Sequence, residues 1–207
     1  MEIDILPVGP LQTNAYLATC TTTREAILID PGWNAQSLKD AIEQRKAKVK
    51  LIVNTHAHWD HIGGNAAMMD YTNAPLAIHK DEIPLLRNKG GADIWNIPLR
   101  PSPEPDHFLI PGESLTVGTL TFKILFTPGH TPGHISLYEA EQKALFDGDV
   151  LFNQGIGRTD LPGGSTQDIM DTLQNVLMKL PNDVTVYPGH GGTTTIGDER
   201  QMNPWLR

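Results

Sequence analysis

A single cysteine, Cys20, excludes an internal disulfide and fits a chain that works in a reducing cytosol. It lies beside an apolar stretch, Asn14 to Ala18, and reads as a small buried side chain rather than a ligand or nucleophile. No run approaches the ~20 apolar residues of a membrane span. The start, Met1-Glu2-Ile3-Asp4, carries acids where a secretion signal carries bases. A cytoplasmic location and no membrane partner are expected. Positive charge is scarce: 16 Lys and Arg against 24 Asp and Glu leave a formal net charge of −8. That balance argues against a nucleic-acid partner, which needs an excess of bases. No linker, low-complexity run or strong internal repeat marks a boundary, so residues 1–207 read as one domain, long enough for a substantial core.

What is concentrated is histidine. Thr55-His56-Ala57-His58-Trp59-Asp60-His61 sets three imidazoles and a carboxylate in six positions, in a chain with eight histidines overall. The preceding apolar run, Val49 to Asn54, reads as a buried strand. Residues two apart in an extended segment share a side, so His56 and His58 can converge on one point. A turn after them would carry Asp60 and His61 to a neighbouring point. Imidazole nitrogen with carboxylate oxygen suits zinc, iron or manganese and not the all-oxygen shells of calcium or magnesium.

Elsewhere the pattern alternates strands with helices. Strands are expected at Ile3 to Val8, Asn14 to Ala18, Ala26 to Ile29, Leu76 to Ile78, Leu120 to Phe126 and Val184 to Tyr187. Ile135 to Tyr138 and Ala144 to Phe146 read as a hairpin. Amphipathic spacing predicts a helix over Gln36 to Lys46, and helices are also expected over Gly63 to Tyr71, Lys80 to Asn88 and Asp168 to Leu180. The proline-rich stretch Lys89 to Ile110 reads either as an active-site border or lid, or as a surface loop. Ligands at the carboxyl ends of strands indicate a layered α/β fold with the site along one edge.

The form His-x-His-x-Asp-His resembles the signature of the metallo-β-lactamase superfamily. The resemblance continues through His130 in Thr127-Pro128-Gly129-His130, Asp149 in Phe146-Asp147-Gly148-Asp149, and His190 in Pro188-Gly189-His190. It implies a four-layer αββα sandwich, two mixed β-sheets flanked by helices. It also implies two divalent metal ions, with zinc expected and iron or manganese as alternatives. His56, His58 and His130 would hold one ion, Asp60, His61 and His190 the second, and Asp149 would bridge them. The chain looks most like the glyoxalase II group, particularly its short single-domain bacterial members, a likeness that extends to Gly155 through Gly164. Seventeen residues follow His190, so the helical C-terminal glutathione-binding domain of longer members is expected to be absent.

Such a centre would lower the pKa of a bridging water, giving hydroxide at neutral pH, with Asp60 as the catalytic carboxylate that orients it or takes its proton. A small-molecule thioester such as S-2-hydroxyacylglutathione (S-lactoylglutathione) is the expected substrate, giving a 2-hydroxy acid and a free thiol. Arg158 either meets a substrate carboxylate or pairs with Asp160. β-Lactam cleavage is disfavoured because several superfamily β-lactamases carry cysteine where this chain has Asp149. The alternative enzyme is an iron-dependent persulfide dioxygenase using His56, His130 and Asp149. A non-catalytic metal-binding module has no need of all seven positions. His134 is expected to brace the ligand loop, and His79 and His107 to cap or face solvent.

Overall fold

In the computed structural model, which describes residues 1–33 and 35–207, the first part of the chain forms β1 (Glu2–Val8), β2 (Thr13–Thr19), β3 (Glu25–Ile29), β4 (Lys48–Val53), β5 (Leu76–Ile78) and β6 (His107–Phe108). The second part forms β7 (Ser114–Val117), β8 (Leu120–Phe126), β9 (Ile135–Glu139), β10 (Ala144–Gly148), β11 (Leu151–Phe152), β12 (Gly155–Ile156), β13 (Thr185–Pro188) and β14 (Thr194–Thr195). Helices α1 (Ala35–Arg45), α2 (Trp59–Ile62), α3 (Asn65–Thr72), α4 (Ile83–Arg87), α5 (Thr166–Asn175) and α6 (Ile196–Met202) complete the regular structure.

One six-stranded sheet runs β1-β2-β3-β4-β5-β6 and another runs β14-β13-β10-β9-β8-β7. Both are mixed. β3, β4, β5 and β6 pair in parallel, whereas β1, β2 and β3 pair antiparallel. In the second sheet only the β10–β13 pairing is parallel.

The period of two along each strand separates the layers. Tyr16 and Ala18 of β2 point between the sheets and pack with Phe122, Ile124 and Phe146. Ala15 and Leu17 point outward onto Leu38 and Ile42 of α1 and Met68 of α3. On the far side, Leu145 and Val186 meet Ile169 and Leu173 of α5 and Ile196 of α6. Helices, sheet, sheet, helices: this is the αββα sandwich. Every residue of β2 is buried, as two covered faces require. Phe146 anchors the middle, edge-on to Tyr16 at 5.2 Å and stacked on Tyr187 at 5.1 Å. Truncating such a side chain costs on the order of 3–5 kcal/mol.

Two helices differ from the sequence expectation. The stretch Lys80 to Asn88 divides into a 3-10 turn, Lys80–Glu82, and α4, because Pro84 suits the first turn of a new helix and not the interior of an old one. The expected helix Asp168 to Leu180 starts earlier, where Ser165 Oγ accepts from Asp168 N at 3.2 Å. It breaks at Val176, whose φ of −114° leaves a separate 3-10 turn, Leu177–Lys179. Among the described residues, no helix is long and apolar enough to cross a membrane.

Candidate metal centre

Four strands deliver the ligand-type residues from their carboxyl ends. His56 and His58 follow β4, His130 follows β8, Asp149 follows β10 and His190 follows β13. The turn anticipated after His58 is α2, whose first residues place Asp60 and His61 beside the extended pair. β2 fixes the last segment across the sandwich. Asn14 Nδ2 donates to Pro188 O at 3.0 Å and to Gly191 O at 2.8 Å, and Asn14 N donates to Gly189 O at 2.7 Å. Gly189 permits a close approach: a Cβ there would sit 2.1 Å from Asp149 Oδ1.

Six of the seven expected side chains come together in two groups of three, with the seventh, Asp149, between them. The inward atoms of His56, His58 and His130 lie within 4.8 Å of one another, as do those of Asp60, His61 and His190. His58 Nδ1 faces His130 Nε2 at 2.8 Å, and His190 Nε2 lies 3.1 Å from Asp60 Oδ2. Asp149 sits between the groups. Its Oδ2 is 3.5 Å from His130 Nε2 and 3.5 Å from His190 Nε2, and its Oδ1 is 3.4 Å from His61 Nε2.

The tautomers follow from what holds the outer face of each ring. His130 Nδ1 donates to Arg158 O at 2.7 Å and His190 Nδ1 to Leu11 O at 3.3 Å, since a carbonyl can only accept. His61 Nδ1 donates to Asp30 Oδ2 at 3.0 Å. Thr55 Oγ1 gives its proton to Asp30 Oδ2 at 2.7 Å, so it accepts from His56 Nδ1 at 3.1 Å. Four rings therefore turn Nε2 inward, which is how metal-ligating histidines are held. The inward atoms His56 Nε2, His61 Nε2 and Asp149 Oδ1 are buried with no hydrogen-bond partner. Orphaned buried polar atoms of this kind are costly unless a cation meets the site, and the donor set fits divalent zinc, iron or manganese.

Charge points the same way. Burial keeps His56 well below its ordinary pKa and lowers His58 to about 3, so both are neutral donors. Burial opposes protonation of His61 and His190 too, yet carboxylates prevail: Asp149, Asp60 and Asp30 raise His61, and Asp149 and Asp60 raise His190 to about 9. Asp60, despite burial, falls to about 2 beside His61 and His190. Protons thus occupy the places where a cation would compensate the carboxylates.

Several supports were not legible as site residues. Asp30 accepts from Thr55 N at 2.8 Å, from Thr55 Oγ1 and from His61 Nδ1. It also lies near His56 and His61, but its oxygens are committed to these three donors. Thr13 Oγ1 donates to Asp60 Oδ2 at 2.8 Å. Fully buried Glu82 ties two ligand loops, accepting from Ala57 N at 2.7 Å and Gly133 N at 2.8 Å. His134 braces as expected, with Nε2 accepting from Asp149 N at 3.1 Å and Nδ1 donating to Thr127 Oγ1 at 3.0 Å. Asp147 likewise steadies its turn, accepting from Leu151 N at 2.9 Å. His79 caps the turn at Asp81 as expected, but it is buried and not on the surface.

The two groups open onto a cavity of about 700 Å³ whose floor includes His58, Asp60, His130, Asp149 and His190. From the stretch read as border or surface loop, Gly90, Gly91, Ile94, Trp95 and Ile97 contribute to its wall. Gly90 packs there at a φ of +63°, where a Cβ would lie 2.2 Å from Trp59 N. Arg158 also lines the cavity, but its Nε and Nη2 both grip Asp160 at 2.7 Å.

Comparison with known proteins gives the same picture. The chain is 36% identical over 209 residues to hydroxyacylglutathione hydrolase GloC of Haemophilus influenzae, covering 100% of this chain and 98% of that one. The crystal structure of the B3 metallo-β-lactamase BLEG-1 superposes with a TM-score of 0.94 at 39% identity, covering 99% of each chain. That of TTHA1623 in a di-iron-bound form does so with a TM-score of 0.90 at 35% identity, covering 98% of this chain and 100% of that one. Residues 8–190 match the family model for the metallo-β-lactamase superfamily, and the chain belongs to that superfamily.

Proposed function

We propose that the protein is a dinuclear metal-dependent hydrolase of thioesters, of which S-2-hydroxyacylglutathione (S-lactoylglutathione) is one form. The observation that carries this reading is Asp149, whose two oxygens lie within 3.5 Å of His130, His61 and His190 and so reach both ligand groups. Divalent cations held by His56, His58 and His130 and by Asp60, His61 and His190 would acidify a water to near neutrality and polarise a carbonyl oxygen. The chain supplies the placement. Asp60, on the cavity floor and held by Thr13, is the carboxylate positioned to orient the attacking water and to take up its proton. The C–S bond breaks as the new C–O bond forms. The departing thiolate, with a thiol pKa near 8.5, needs little help from a general acid. Glu82 and Asp30 keep the ligand loops in register through this cycle.

Two other readings share the ligand set. Ring opening of a β-lactam draws support from the 39% identity to BLEG-1. Persulfide oxidation at one iron would use His56, His130 and Asp149, leaving the equally complete trio of Asp60, His61 and His190 without a task. The deciding experiment measures metal content, then thiol release from S-lactoylglutathione and from a neutral acyl thioester. Two metals per chain, with turnover lost by at least a hundredfold in Asp60→Ala, is the expected result. A metal-replete protein that cleaves neither thioester sinks the hydrolase reading. Oxygen consumption with a persulfide, or opening of a cephalosporin, would install one of the other two.

A further inference from the structure

We infer that the substrate carries a bulky, uncharged apolar substituent, and that the cavity beside the metal centre is built to bury it. The inference rests on the thioester reading for the reacting bond, and on the cavity wall for the rest. That wall is formed by Ile94, Trp95, Ile97, Phe152, Ile156 and Leu161, above a floor of histidines and aspartates. Its volume of about 700 Å³ lies in the range that encloses a drug-sized ligand. Ile94 and Trp95 stand 57% and 50% exposed at the rim. Apolar groups held in water beside a reactive centre gain by covering an apolar ligand.

Charge recognition is missing from the same surface. Among the described lining residues, Arg158 is the one lysine or arginine, and its guanidinium is committed to Asp160 through two bonds of 2.7 Å. Outside the lining, three cations near the long loop are paired with carboxylates: Arg87 with Glu104, Lys89 with Asp93, and Arg100 with Asp70. Among the described lining residues a peptidic thiol with free carboxylates would meet no unpaired lysine or arginine, on a protein of net charge −8. An alkyl or aryl substituent meets a matching wall. Trp95 and Ile94 are the specificity-determining residues of this arrangement.

The test pairs two homologous series on the metal-loaded protein. Non-hydrolysable thioethers of N-acetylcysteamine, from S-ethyl to S-hexyl and S-(2-phenylethyl), are titrated by calorimetry alongside S-hexylglutathione. The corresponding N-acetylcysteamine thioesters, from acetyl to hexanoyl and phenylacetyl, are assayed for thiol release. Full burial of one methylene corresponds to roughly a fourfold gain in binding or kcat/KM. Affinity is expected to rise at least tenfold from ethyl to hexyl, with S-hexylglutathione binding no tighter than its neutral counterpart. The Trp95→Ser variant should reduce the hexyl preference at least threefold. An affinity series that stays flat, or a tenfold preference for the glutathione compound, overturns the inference whatever the turnover. Apolar binding with no thioester cleaved overturns the thioester reading and leaves the apolar cavity standing.

Discussion

Asp30 shows how much of a metal site lies outside its ligands. One carboxylate accepts from the backbone and hydroxyl of Thr55 and from His61 Nδ1, so it fixes the strand end, the His56 ring and the His61 tautomer together. Asp30→Ala is expected to weaken metal binding at the Asp60, His61, His190 group by 10–100-fold, the usual cost of losing such a support. Competition with a chromophoric chelator measures it, and unchanged affinity would remove Asp30 from the site. Proton counting gives a second check. His190 is raised to about 9, so its proton stabilises the metal-free fold fully below about 6.5, and this contribution is lost as pH rises through 9. A metal must displace that proton at any pH below 9. At pH 7.5, filling this group should release at least one proton, seen by calorimetry in buffers of different ionisation enthalpy. Apparent affinity should fall about tenfold per pH unit as pH drops. Buffer-independent heats would contradict the assignment of His190.

Strands and helices differed in how plainly the sequence declared them. β2, β4 and β8 are long enough for burial pattern to identify them, and the ligand segments after β4, β8, β10 and β13 carry side chains whose chemistry reads without a fold. β6, β11, β12 and β14 have two residues each, too few for alternation to register, and exist because a neighbouring strand pairs with them. The same limit hid Glu82 and Asp30. Their roles depend on loops that meet only in the fold, such as Ala57 N and Gly133 N converging on one carboxylate. Arg158 was legible as two alternatives, and its guanidinium forks onto Asp160. The segment at residues 88–97 illustrates a third kind of gap. Prolines further along, from Pro98 to Pro105, marked the stretch as irregular, but only packing against Trp59 makes this part of it a wall of the cavity.

The two sheets bring their ligands to one edge, so folding and metal binding are linked across the molecule. The first sheet contributes His56, His58, Asp60 and His61, and the second contributes His130, Asp149 and His190. An ion held by either group would therefore tie one sheet to the other. A ligand present at a hundred times its dissociation constant adds about 2.7 kcal/mol per site. For a chain of this size that is roughly 5–10 °C in melting temperature per site. Removing metal with excess chelator should accordingly lower the melting temperature by at least ten degrees or so. The variants divide this increment in an informative way. His58→Ala and His190→Ala each affect one group, and each should forfeit about half of it. Asp149→Asn should forfeit most of it, because Asp149 contacts His130 in one group and His61 and His190 in the other. Calorimetric melts of each variant, with and without chelator, separate the contributions. If Asp149→Asn kept the full metal-dependent increment, the two groups would be independent sites and the bridging role of Asp149 would be wrong.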